Sequence, residues 1–230
     1  FLKIIKKYKN SKNLNLKCLS VHIGSQITNH MPYIKMLKVI ESIIKKSNYN
    51  FDFIDLGGGM GIKYNNKTKK LDYKKYYIAI KKFLKNYKTK IIFEPGRSII
   101  ADCAMLLTKI LYIKKTNNIN FIILDAAMND LIRPALYGAE HKIIPSIKNN
   151  KIVKKKHEFV GPICETTDKF LSVDKFQILK EKEILSICDV GAYGMVLSSN
   201  YNLRAKPSEI LINKSSIKII RKRQKLNNII

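Results

Sequence analysis

Along the first hundred residues, the spacing of apolar positions switches repeatedly between helical and strand-like periods. Leu2, Ile4, Ile5 and Tyr8 recur among lysines at helical intervals and predict a short amphipathic helix over 2–9. An apolar run at 16–23 predicts a buried strand that ends in Gly24-Ser25-Gln26. Tyr33, Ile34, Leu37, Ile40, Ile43 and Ile44 line one side of a helix expected over 32–46, with Pro32 suited to its first turn. A second strand at 51–56 ends in Gly57-Gly58-Gly59-Met60-Gly61. A further helix is expected at 73–87 and a third strand at 90–94.

Strand and helix in alternation read as successive βαβ units of a parallel sheet. Each polar motif stands at the carboxyl end of a strand: His22 to Gln26, Gly57 to Gly61, and Glu94-Pro95-Gly96-Arg97. In barrels and open parallel sheets alike, that rim is where ligands bind. Pro95 pushes Glu94 to extended geometry and ends the strand there, while Gly96 permits a tight turn with exposed amides. Beyond Arg97 the pattern changes. Residues 99–113 are nearly continuously apolar, a strand is expected at 121–125, and β-type segments follow near 143, 152–160, 184–188 and 209–220. Strands without long intervening helices point to an antiparallel β domain, so the expected division is 1–98 and 99–230.

The 230 residues are enough for one large or two modest domains. The formal charge of +27 raises nucleic acid or a membrane surface as a partner. Lysine is abundant everywhere, however, and forms no separate basic face. Arginine, the usual reader of nucleic acid, occurs only five times. General enrichment in lysine is the simpler reading, with no nucleic-acid partner. Cys18, Cys103, Cys164 and Cys188 form no CxxC pair, which points to reduced thiols in a cytoplasmic protein and not to a zinc site. No apolar run approaches the roughly 20 residues of a membrane span. The chain opens at Phe1 inside a helical pattern, so a fragment of a longer protein is expected.

Several residues could carry chemistry, each beside a plainer alternative. Gly57-Gly58-Gly59 offers N–H groups that could reach a phosphate, or is simply a tight turn. It is not a Walker A loop, because no Gly-Lys-Ser/Thr follows. His22 is a flat ring that could stack on a flat cofactor, or an ordinary rim residue. Arg97 and Arg133 stand where arginine is scarce. A planar fork that grips a carboxylate explains this, as does a structural ion pair. Cys164 and Glu165 follow a Gly161-Pro162 turn that would expose them, which suits a thiol placed for proton transfer; a small buried hydrophobe is the alternative. Tyr193, flanked by Gly191 and Gly194, could bring a phenol to a phosphate or pack as an aromatic. His30, His141 and His157 have no such setting.

Taken together, the motifs resemble those of the pyridoxal-phosphate-dependent diaminopimelate decarboxylases. The stretches that carry the resemblance are His22-Ile23-Gly24-Ser25-Gln26, Gly57-Gly58-Gly59, Glu94-Pro95-Gly96-Arg97, Arg133 to Ala139, Gly161-Pro162-Ile163-Cys164-Glu165, Gly191-Ala192-Tyr193-Gly194 and Ser198 to Asn202. They occur in the family's order over residues 15–225. The resemblance implies an α/β fold: part of an alanine-racemase-like (β/α) barrel, then a β domain, in a homodimer with a shared active site. It implies that His22 packs on the pyridoxal ring and that Ser25, Gly57, Gly58, Gly59, Gly96 and Tyr193 hold the phosphate. Glu94 would pair with the pyridine nitrogen and so strengthen the ring as an electron sink. Arg97, close to the cofactor, would join Arg133 and Tyr137 on the distal carboxylate of meso-diaminopimelate, with Tyr193 nearby and Glu165 on the distal amine. Cys164, given across the dimer interface, would return a proton after carbon dioxide leaves, yielding L-lysine. The family's Schiff-base lysine matches no motif here and is expected upstream of Phe1. A decarboxylase of another basic amino acid, or a truncated relative that only dimerises, is the alternative; no metal is implied.

Overall fold

A computed structural model describes residues 1–65 and 68–229. They fall into two compact units, Phe1–Ile100 and Ala101–Ile230. The first contains, in order, α1 (Leu2–Tyr8), β1 (Cys18–Ser20), α2 (Met31–Ser47), β2 (Phe53–Asp55), α3 (Tyr73–Asn86), β3 (Lys90–Ile92) and the single turn α4 (Arg97–Ile100). The three strands form a parallel sheet in the order β1-β2-β3, with Leu19, Ile54 and Ile91 in one row of the register.

That row and the apolar stripes of the two long helices make the unit's core. Tyr33, Met36, Leu37, Ile40 and Ile44 are buried on α2, and Tyr76, Ile80 and Phe83 on α3. Full burial of each such aliphatic side chain is worth about 1.5–3 kcal/mol. Asp72 starts α3 by accepting the Lys75 N–H at 3.0 Å, and Asn48 ends α2 in the left-handed region. The strands are shorter than the apolar runs predicted, but main-chain bonds continue past their ends: Val21 N–H to Asp55 O, Leu56 N–H to Ile92 O, and Glu94 N–H to Gly57 O. Consecutive strand ends are thereby held side by side.

The second unit is built on a six-stranded sheet. Its strands are β4 (Leu106–Lys115), β5 (Ile119–Leu124), β6 (Ile143–Pro145), β8 (Lys156–Val160), β9 (Lys169–Val173) and β11 (Ile184–Ile187), in the order β6-β11-β4-β5-β8-β9. Two small pairs accompany it: β7 (Ile152–Val153) with β10 (Phe176–Gln177), and the hairpin β12 (Glu209–Asn213) with β13 (Ser216–Arg221). Ile110, Ile122, Leu124, Phe159, Leu185 and Ile187 fill the core. An entirely antiparallel domain was expected, and this is corrected at one place: β5 and β8 are parallel. A parallel pair needs a long crossover, which residues 125–155 supply. Within that crossover lies α5 (Arg133–Tyr137), so Arg133 begins a helical turn. Pro134 suits its first turn, and Gly138, at φ +61°, closes it. Among the described residues, no helix is long and apolar enough to cross a membrane.

Candidate active site

In the first unit, the three strand-end motifs touch one another. After β2, the chain turns through Gly57 and Gly58, whose N–H groups donate to Asp55 Oδ1 (2.8 Å) and His22 Nδ1 (3.3 Å). Because Nδ1 of His22 accepts, the imidazole proton sits on Nε2, and the ring is fixed at the exposed rim. Gly57 and Gly58 therefore use their amides internally; only Gly59 N–H donates to no group among the described residues. Tyr33, wholly buried, braces this loop by donating to Gly58 O at 3.3 Å. Burial first, and Tyr73 second, push the Tyr33 phenol up to about 12, so it remains a donor at neutral pH.

Arg97 completes the rim. Its Nη2 donates to Ser25 Oγ at 3.0 Å and its Nη1 to Tyr64 Oη at 2.6 Å, joining the segment after β3 to those after β1 and β2. Glu94 and Gly96 are exposed beside it. The expected rim residues of this unit, His22, Ser25, Gly57, Gly58, Gly59, Glu94, Gly96 and Arg97, thus form one contiguous polar cluster. Tyr64 was not anticipated. Nothing around it marks it, because its partner lies 33 residues away.

The second unit carries its own set. Cys164 is exposed at the tip of the Gly161–Asp168 turn, with Glu165 beside it half-buried. Asp168, 3 % exposed, is the centre of that turn: Oδ1 accepts from Met128 N–H (2.7 Å) and Oδ2 from Ile163 N–H (2.9 Å). Burial raises the Asp168 pKa despite these bonds. Glu165 accepts from Thr167 N–H and from the Thr166 and Thr167 hydroxyls, which lower its pKa, the Thr167 N–H most. Tyr137 is exposed on α5. Tyr193 is exposed on the turn after β11 at φ +63°, a left-handed conformation that favours glycine.

Arg133, at the start of α5, is buried. It is 5 % exposed, and its Nη1 donates to His141 Nε2 at 2.8 Å. His141 Nδ1 donates in turn to the Cys188 carbonyl at 2.8 Å. Sequence reasoning assigned His141 nothing. Asp168 and His141 each join a near group to a distant one, the Met128 N–H 40 residues away and the Cys188 carbonyl 47 residues away, and no local pattern announces that longer bond.

Residues 19–191 match the family model described as pyridoxal-dependent decarboxylase, C-terminal sheet domain. The chain belongs to this family. Among curated relatives, the diaminopimelate decarboxylase of Aquifex aeolicus is 40 % identical over 224 residues, covering 95 % of this chain and 53 % of the relative. That of Vibrio cholerae is 36 % identical over 94 % of this chain and 52 % of its own. The chain therefore spans about half the length of the curated relatives it matches. Two solved structures superpose on it. Diaminopimelate decarboxylase from Helicobacter pylori, complexed with L-lysine, gives a TM-score of 0.88 at 36 % identity over 99 % of this chain and 57 % of its own. Diaminopimelate decarboxylase from M. jannaschii gives 0.91 at 32 % identity over 99 % and 54 %. The lysine/ornithine decarboxylase of Vibrio vulnificus, at 19 % identity and a TM-score of 0.81, shares the fold.

Proposed function

We propose that this chain forms the carboxyl-terminal portion of a diaminopimelate decarboxylase, in which its first unit is part of a (β/α) barrel. The reaction is conversion of meso-2,6-diaminopimelate to L-lysine and carbon dioxide. The observation that carries the reading is the contiguous rim of the first unit, in a chain 36–40 % identical to enzymes of that name. Its donors fit pyridoxal 5'-phosphate. A guanidinium and a hydroxyl meet at Arg97 and Ser25, and Gly59 N–H is available to an anion. A carboxylate, Glu94, stands at a strand end a short way along the same rim. When bound, the cofactor supplies an electron sink for the pair left when the carbon–carboxyl bond breaks.

The roles of this chain's residues follow from their chemistry. Ser25, Gly57, Gly58, Gly59, Gly96 and Arg97 would hold the phosphate, Gly57 and Gly58 by shaping the loop rather than by donating. Tyr193 would donate to the phosphate. His22 would pack against the ring, and Glu94 would pair with its nitrogen. Arg133 and Tyr137, aided by Arg97 and Tyr193, hold the distal carboxylate, and Glu165 holds the distal ammonium. Cys164 gives its Sγ proton to the carbon that has lost carbon dioxide, and the resulting thiolate is reprotonated from solvent. The thiol serves the partner subunit's site in a cytoplasmic homodimer.

The test is to express the longest polypeptide its reading frame encodes, loaded with pyridoxal phosphate, and supply meso-diaminopimelate. Equal amounts of carbon dioxide and L-lysine are expected. Folded, cofactor-loaded protein that produces neither would overturn the assignment. Cys164→Ala is expected to lower kcat by about 100-fold or more, the usual reach of a positioned proton donor, with little change in KM.

A further inference from the structure

His141 is 1 % exposed and bonded at both ring nitrogens. The Cys188 carbonyl can only accept, so Nδ1 carries the ring proton. The Arg133 guanidinium can only donate, so Nε2 is bare. Both bonds are satisfied by one neutral tautomer and by no other protonation state. The backbone reinforces the link beside it, since Cys188 N–H donates to the Lys142 carbonyl at 2.8 Å. Cys188 stands at the end of β11, where the turn that carries Tyr193 begins. Through a single imidazole, the start of α5 is thus tied to the root of the Tyr193 turn.

We infer that His141 is a positioning residue for substrate specificity: it fixes the Arg133 guanidinium so that the arginine recognises a ligand's distal carboxylate. The inference rests on the proposed role of Arg133. An arginine side chain has several rotatable bonds, and an unheld guanidinium loses entropy when it grips a carboxylate. Clamping one nitrogen beforehand removes much of that cost. A neutral imidazole holds the arginine without neutralising it, as a carboxylate partner would. The imidazole itself takes up none of that positive charge.

The probes are L-lysine and 1,5-diaminopentane, which differ only by the carboxylate in question. Their equilibrium binding is compared in the cofactor-loaded full-length protein and in His141→Leu, His141→Gln and Arg133→Ala. The unaltered protein is expected to prefer L-lysine. His141→Leu should lose that preference by about 10- to 100-fold, the range for a hydrogen bond to a charged group, while its affinity for 1,5-diaminopentane stays unchanged. His141→Gln, whose amide can both accept and donate, should restore most of it. Equal weakening of both ligands in His141→Leu would mean a merely structural role and overturn the inference. So would an intact preference in His141→Leu when Arg133→Ala abolishes it. If Arg133→Ala itself leaves the preference intact, the carboxylate role proposed for Arg133 fails first. Nitrogen-15 resonances of the His141 ring give a reading independent of ligand and of folding in the variants. A neutral ring protonated at Nδ1 is expected, and an Nε2–H tautomer or an imidazolium would also overturn it.

Discussion

At the scale of single residues, the rim depends on how little space its loops leave. A β-carbon at Gly58 would overlap the Glu94 carbonyl oxygen, which is backbone and cannot swing aside. At Gly59, φ is +84° and a β-carbon would overlap the Gly24 carbonyl, so both space and conformation require glycine. Gly58→Ala should therefore cost about 1–3 kcal/mol of stability by overpacking, measured by urea unfolding. It should also weaken pyridoxal phosphate binding, because the atom displaced belongs to Glu94. An alanine variant as stable as the original would show that the rim yields more readily than its packing implies. Tyr33→Phe makes the complementary test. It keeps the stacked contact with Tyr76 (ring centroids 4.3 Å apart) and deletes only the bond to Gly58 O. A loss of about 0.5–1.5 kcal/mol is expected, as for one hydrogen bond.

At the scale of elements, legibility followed the range of the interactions. The stripes of α2 and α3 are set by near neighbours in sequence, so apolar spacing placed both helices to within a residue or so of their observed ends. Strand β9 escaped notice because its burial is irregular and its place is set by β8, with a register shift at Phe159/Val160. The parallel β5–β8 pair was hidden for the same reason, since it depends on chain far away; Arg133 and His141 are near in sequence, and only the fold turns both side chains inward. Yet β8 and β9 share a charge cluster whose effect can be measured. Glu158 meets Lys169 at 2.9 Å and Lys156 at 3.0 Å, and its carboxyl pKa is lowered, chiefly by the bond to Lys169. A lowered carboxyl contributes stability that is fully present above its unfolded value of 4.5 and is lost as pH falls through the folded value. Glu158→Gln should accordingly reduce stability at pH 7 and have little effect at pH 2–3, so the two unfolding curves converge in acid. Curves that stay parallel down to pH 2 would assign the loss to packing instead.

At the scale of the whole molecule, charge is the dominant fact. Forty-four lysines and arginines face seventeen aspartates and glutamates, a formal net of +27. Such an excess acts against the compact state through self-repulsion and attracts polyanions without regard to sequence. Both effects operate through water, and both are screened once the Debye length falls from about 10 Å at 0.1 M salt to about 3 Å at 1 M. Raising sodium chloride from 0.05 to 0.5 M should therefore raise the unfolding midpoint. Over the same range, binding to duplex DNA should disappear, with an affinity that falls linearly on logarithmic axes and does not distinguish one sequence from another. The two responses share one cause and should saturate over the same range of salt. A duplex held firmly at 0.5 M, or a preference for one sequence, would indicate a built nucleic-acid site and require a role for the lysines beyond solvation. An unfolding midpoint that is unchanged or lower at 0.5 M would show instead that local pairs such as Glu158 with its lysines, which salt weakens, outweigh the global repulsion.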